Sequence, residues 1–193
     1  SGSVTELSDA LVEDNSIYIG NDPSATTDTA QYNFALGATA LDSITTGDYN
    51  IAVGADALTD NTTGNNNIAM GQQALANNTT GSFNLAYGYY ALSDNLSGAT
   101  NAAFGHSGLA ANSSGDNNTA LGAYGLFRNT TGNENLAAGF RALYTNTTGS
   151  NNTAVGGWAL SLSTTGANNT ATGHSALYSN TTGYHNTANG YQA

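Results

Sequence analysis

Apolar positions recur along this chain with two superposed periods. At short range they alternate: Ile51-Ala52-Val53, Ile68-Ala69-Met70 and Leu85-Ala86-Tyr87 each follow an Asn and precede a Gly. Alternation with period two predicts a strand. At longer range the whole pattern returns every seventeen residues from residue 29 to the end, without an insertion. The unit reads T-T-G-x-x-N-x-A-x-G-x-x-A-L-x-x-N. It is too short for a pair of helices, and Gly, Asn and Thr are poor helix residues. Each unit predicts instead a strand at N-x-A-x, a glycine bend, a second short strand at x-x-A-L, and an N-T-T-G turn. The expected fold class is all-β: a parallel β-solenoid, or β-roll, of about eleven 17-residue coils, stacked at about 4.8 Å.

Each fixed column then has a physical task. Gly54, Gly71 and Gly88, and a second column from Gly47 to Gly183, are expected to supply positive φ at two corners where a Cβ would clash. Leu58, Leu75 and Leu92 stack into an apolar rib, while the small motif alanine lets strand layers approach closely. Asn50, Asn67 and Asn84 predict an amide ladder along the axis. The Asn and Thr residues of N-T-T-G satisfy turn backbone groups with their own side chains. Such a core is thin. Residues flanking the motif alanine, among them Ile51, Val53, Met70, Tyr87, Phe104 and Leu121, fall on the opposite strand face, where a neighbouring chain would cover them. The expected assembly is a homo-oligomer, most simply a trimer.

Three stretches follow from the repeat. Residues 1–15 are a non-repeating acidic lead-in to which no fold is assigned. Residues 16–28 form a degenerate capping coil, with Ser16 in the Asn column, Tyr18 in the Ala column and Pro23 nearby. Residues 29–193 are the regular coils. Ala193 falls one residue short of the next motif Leu, which suggests a longer fibre or end-to-end stacking on another molecule.

Composition removes several function classes. The chain carries two Arg and no Lys against thirteen acids, so no basic footprint for nucleic acid is present. No apolar run approaches the ~20 residues of a membrane span, and the acidic opening lacks a secretory-signal pattern. The absence of cysteine excludes disulfides and thiolate metal sites.

The segments "NIAVGADAL", "NIAMGQQAL" and "NTAVGGWAL" resemble the short repeats of YadA-like adhesin heads. That resemblance implies trimers of left-handed parallel β-rolls. The seventeen-residue form with "NTTG" is similar to repeats of bacteriophage tail-fibre proteins, and "LSDALVEDNSIYIGNDPS" looks like the segment preceding such repeats. The added Thr-Thr-Gly turn departs from the adhesin pattern and favours the fibre. Membership would imply a place on the virion surface or outside the cell, and attachment to a host glycan or protein.

Candidate chemistry is sparse, and no cofactor is expected. His106 and His174 occupy one column four coils apart, roughly 19 Å at the strand spacing, too far to share a metal. Asp56 with Asp60, or Asp116 with Glu134, could approach on adjacent coils as a carboxylate pair; scattered acids on a solvated face are the simpler reading. Calcium would need Asp and Asn oxygens, but the Ca²⁺-binding nonapeptide does not occur. Asn61, Asn78, Asn112, Asn129, Asn146 and Asn180 head glycosylation-like triplets that turn chemistry explains equally well. The two slots after the motif Gly are more informative. They hold Tyr89-Tyr90, His106-Ser107, Ala123-Tyr124, Phe140-Arg141, Gly157-Trp158 and His174-Ser175. Stacked coils turn these pairs into one stripe of rings, polar groups and one Arg, suited to carbohydrate faces. A competing reading packs some of the rings between chains.

The leading expectation is a non-enzymatic structural and receptor-binding fibre. A bacterial trimeric adhesin head is the alternative. An ice-binding solenoid comes third, on the threonine ladder Thr62-Thr63, Thr79-Thr80, Thr130-Thr131 and Thr147-Thr148.

Overall fold

The computed structural model describes residues 10–13, 15–20, 23, 26 and 29–193. Strand β1 (Ala10–Glu13) forms an antiparallel hairpin with β2 (Ser16–Ile19), pairing Leu11 with Tyr18. β3 (Phe34–Leu36) then lies parallel to β2, and further strands follow every seventeen residues to β12 (Thr187–Asn189). All twelve belong to one sheet in sequence order. The motif alanines pair in unbroken register, Ala35 to Ala52, Ala52 to Ala69, and on to Ala188. The chain is a parallel β-solenoid whose coils are set by the seventeen-residue period.

Each coil has one strand, not two. The x-x-A-L run expected to be a second strand is a turn, with Asp56 at φ 56° and Leu58 at φ 52°. A third left-handed residue, Tyr49 at φ 58°, opens the strand side, and the same three positions repeat along the rod. This conformation costs an L-residue about 1–2 kcal/mol. Stacking offsets it, because each of these residues donates its N–H to an adjacent coil: Tyr49 to Gln31 O at 3.0 Å, Asp56 to Ala38 O at 3.0 Å, and Leu58 to Ala74 O at 3.1 Å. Backbone pairing between coils thus continues around the turns.

The two glycine columns also differ. Gly37 through Gly190 hold φ between 126° and 144°, as expected. Gly47 through Gly183 do not have positive φ. They are small for another reason: a Cβ on Gly166 would sit 2.7 Å from Gly183 O and 2.9 Å from Ser163 Oγ. Close approach of the next coil excludes the side chain there, not the dihedral.

Two buried asparagine ladders run beside the Ala and Leu ribs. In the expected one, Asn118 N donates to Asn101 Oδ1 at 2.9 Å, while Asn101 Nδ2 donates to Gly115 O at 2.8 Å. The Asn of N-T-T-G makes the second: Asn112 Nδ2 donates to Asn95 Oδ1 at 2.8 Å and to Gly115 O at 2.9 Å. One glycine carbonyl thus ties both ladders together. Of the six sequon-like asparagines, Asn61, Asn78, Asn112, Asn129 and Asn146 are fully buried, which favours the turn role over a glycan in the folded chain.

At the N-terminal side Ser16 stands in for Asn, its Oγ accepting Asn33 N at 3.0 Å. Tyr18 fills the Ala slot and is fully buried. β1, within the acidic lead-in, covers the outer edge of β2, and its Leu11 packs against the core. That pairing takes up the outer edge of β2 and makes β1 the end strand of the described sheet.

Between Asn61 and Asn180 the second ladder has one fault. Ser163 occupies the asparagine column, and Asn146 Oδ1 is left buried without a partner, as is Ser163 Oγ. Ser163→Asn is expected to restore the amide pair and stabilise the chain by about 1–3 kcal/mol, the cost of an unmade buried bond. An unchanged midpoint in urea denaturation would count against this reading of the ladder.

Candidate functional site

The Gly-x-x-Ala-Leu turn carries the aromatic side chains. Its first free column holds Tyr89, His106, Phe140, His174 and Tyr191; its second holds Tyr90, Tyr124, Arg141 and Trp158. Small residues interrupt the first at Ala123 and Gly157, and rings from the second fill in. The result is a zig-zag of ring contacts. Tyr89 lies 5.2 Å from His106, His106 5.0 Å from Tyr124, Tyr124 6.2 Å from Phe140, and Phe140 5.6 Å from Trp158. Several pairs meet edge to face, a favourable ring geometry.

Tyr90 packs on Tyr89 with ring centres 4.3 Å apart. The hydrogen bond to Tyr89, with desolvation and the charges nearby, holds the Tyr90 hydroxyl above the usual phenol range. Of the eight stripe residues, His174 alone falls outside the continuous run. It stacks on Tyr191 at 5.6 Å, and Trp158 continues instead to Tyr178 at 6.2 Å.

Three rings in the stripe were not anticipated. Phe127, Tyr144 and Tyr178 follow the motif Leu, in the position that Ser93, Ala110 and Ser161 fill in other coils. Phe127 and Tyr144 stack face to face, 5.3 Å apart and 5° from parallel. The left-handed Leu folds this third column back beside the second. Three large aromatics in an otherwise small-residue column were the available signal.

Arg141 sits inside this array. Its guanidinium carbon lies 4.8 Å from the Trp158 ring centre, 5.1 Å from Tyr144, 5.3 Å from Phe140 and 5.8 Å from Tyr124. The ring faces attract the cation. Arg128, the chain's other basic side chain, lies 6.0 Å from the Tyr144 ring centre. An open cleft of about 410 Å³ borders the stripe, lined by Tyr89, Tyr90, Asp94, Ser107, Ala110 and Phe127 among others. A larger hollow of about 520 Å³ over Leu177, Asn180 and Gln192 is the exposed face of the last coil.

The acids along the coils, the candidates Asp56, Asp116 and Glu134 among them, make other contacts. Asp48 and Asp116 each accept a backbone N–H from the preceding coil at 2.7 Å, from Gln31 and Ala99. Glu134 meets Asp116 through its backbone, N to O at 3.0 Å. Asp56 bonds Thr39 Oγ1 and lies 3.5 Å from Gln73 Nε2. Among the described residues no group of three or more His, Asp or Glu is placed to hold a metal.

A separate surface lies on the strands, where the motif alanine points inward and its neighbours outward. Leu36, Met70, Tyr87, Phe104, Leu121 and Val155 are all exposed in one column, beside Phe34, Ile68, Leu85 and Leu136 in the other. This apolar strip gives way to Thr170, Thr172 and Thr187 near the end. No protein-family model, no curated protein and no solved structure matches this chain.

Proposed function

We propose that this chain is a non-enzymatic fibre module, of the kind found in bacteriophage tail fibres, that holds a saccharide-binding stripe on a rigid trimeric rod. The continuous run of rings from Tyr89 to Tyr178 carries this reading. Pyranose rings present apolar C–H faces edged by hydroxyls, and such faces stack on aromatic rings while the hydroxyls meet polar neighbours. The coil spacing suits a linear chain of sugars lying along the axis. A bacterial adhesin head would use the same surface in the same way.

The rod's other face supports the assembly. Nine successive strands, β2 to β10, each turn at least one apolar side chain outward, a strip roughly 40 Å long at ~4.8 Å per strand. Contiguous exposed apolar surface on this scale marks an interface. A self-similar strip would pack against copies of itself around a threefold axis, with the aromatic turn outward. Sedimentation equilibrium is expected to give three times the 19.5 kDa chain mass, and Phe104→Asp with Leu121→Asp is expected to release monomers. A wild-type monomer at all concentrations would remove the trimer.

The binding role is tested by a glycan array with Trp158→Ala as control. Loss of one stacked ring is expected to weaken binding about tenfold or more, in line with 1–3 kcal/mol per aromatic stack. An intact rod that binds no glycan would reduce the proposal to a spacer.

A second reading draws on the N-T-T-G turn. Its first Thr turns inward, Thr62 Oγ1 reaching Thr79 O at 3.0 Å. Its second, at Thr46, Thr63, Thr80, Thr131, Thr148 and Thr165, is exposed in one column, with Ser97 and Ser114 between. Exposed hydroxyls at strand spacing are the makings of an ice-binding face, although a turn is less flat than a sheet. Thermal hysteresis above that of a buffer control would favour it.

A further inference from the structure

The two arginines of this chain, 128 and 141, are its only Lys or Arg residues, in a protein of net charge −11. Both guanidiniums lie within 6.0 Å of one ring centre, that of Tyr144. No Asp or Glu follows Glu134 in the sequence. Glu134 itself is exposed on the T-T-G-x-x-N turn, at the other end of the strand from the turn that carries Arg141. Arg141 is half-buried among four rings, and its Nε is buried without a hydrogen-bond partner. That nitrogen has lost water without gaining an acceptor. Aromatic faces stabilise the guanidinium charge, but they leave directional N–H donors unused.

From this we infer that Arg128 and Arg141, with Phe140, Tyr144 and Trp158, form a subsite for an anionic sugar of a surface polysaccharide. The inference rests on the saccharide reading above and adds the sign of the ligand's charge. The pyranose ring would lie on Trp158 or Phe140, and its acidic group would accept from the guanidiniums. Charge complementarity argues for it, since attraction to the two arginines acts at contact range. Repulsion from the acids at and before Glu134 is largely screened beyond a Debye length of about 8 Å at physiological salt. A planar guanidinium suits either a carboxylate or a sulfate ester, both of which can accept two parallel bonds. The bond class is shared, and the test separates the sources.

The probes are an array carrying neutral, carboxylated (uronate and sialate) and sulfated oligosaccharides, and titration of the best binders by calorimetry. Wild-type protein is expected to bind an anionic oligosaccharide at least tenfold more tightly than its neutral counterpart. Carboxyl reduction of a uronate ligand, or desulfation of a sulfated one, is expected to remove that advantage and identify which acid is recognised. Arg141→Gln should lower affinity for the anionic ligand to the neutral level. Arg141→Lys should keep part of the preference, and Trp158→Ala should weaken both ligands. Melting curves for each variant control for folding, and Arg128→Gln, on an exposed side chain, gives a second loss of charge independent of the packed ring cluster. Binding restricted to neutral sugars, or an anionic preference untouched in both Gln variants, would overturn the inference and leave the saccharide-binding role intact. No binding to any oligosaccharide by folded wild type would overturn both.

Discussion

Gly88→Ala is expected to divide the rod into two blocks that melt separately, whereas Gly108→Ala should stabilise it. The two glycines lie on the same turn surface of adjacent coils and differ in their surroundings. Gly88 has φ 144°, and an added Cβ would sit 2.7 Å from the Gly105 carbonyl carbon. That obstacle is backbone, itself held by the next coil, so neither partner can yield cheaply. The dihedral alone costs about 1–3 kcal/mol in an L-residue, and the collision adds to it. Because each coil touches only its neighbours, a broken interface uncouples the blocks on either side.

Gly108 occupies the column that holds Ala57, Ala74, Ala91 and Ala142 in other coils. A Cβ there would meet Ala103 Cβ and Ala120 Cβ at 3.5 Å, ordinary contact. Removing unfolded-state freedom should then raise stability by about 0.4–1 kcal/mol. Differential scanning calorimetry reads both effects. One sharp transition at an unchanged temperature for Gly88→Ala would contradict the stacked register.

Asn101→Asp is expected to destabilise strongly near neutral pH and to recover as the solution is acidified. The Asn101 amide is nearly fully buried; it accepts from Asn118 N at 2.9 Å and donates to Gly115 O at 2.8 Å. An ionised carboxylate would still accept from Asn118. Toward Gly115 it would set oxygen against oxygen, with a buried charge added. Burial and the facing carbonyl therefore favour the protonated form, and the folded-state pKa of the new Asp rises above its unfolded value of about 3.9. The folded state then binds more protons than the unfolded one between those two values. Relative to wild type, the penalty is smallest below about pH 4 and grows with pH until the raised folded-state pKa is passed. Urea denaturation of both proteins from pH 3.5 to 8 measures that difference. A penalty that does not vary with pH would mean that the amide is not enclosed as described.

Much of this architecture is readable because no coil gains or loses a residue. With constant spacing, Ala35 must pair with Ala52 and Asn50 must stack over Asn33, and the outward flanks follow from strand alternation. The dihedrals were less readable. Nothing in x-x-A-L marks Leu58 for φ 52°, since leucine has no intrinsic liking for the left-handed region. The apolar pair looked like a strand, and only pairing to both neighbouring coils keeps it a turn. The same fold-back brings Phe127 beside Tyr124 and Tyr178 beside Trp158, with Tyr144 stacked on Phe127.

The amino-acid order by itself determined the period, the register, the inward Ala and Leu ribs and the asparagine ladder through Asn50, Asn67 and Asn84, because those follow from which residue recurs seventeen places on. The stacked structure alone decided which glycines need their dihedral and which need their missing side chain. It also decided that three columns of the turn merge into one surface around Arg141. Those outcomes depend on where the neighbouring coil's backbone lies, and that position exists only once the coils are in contact.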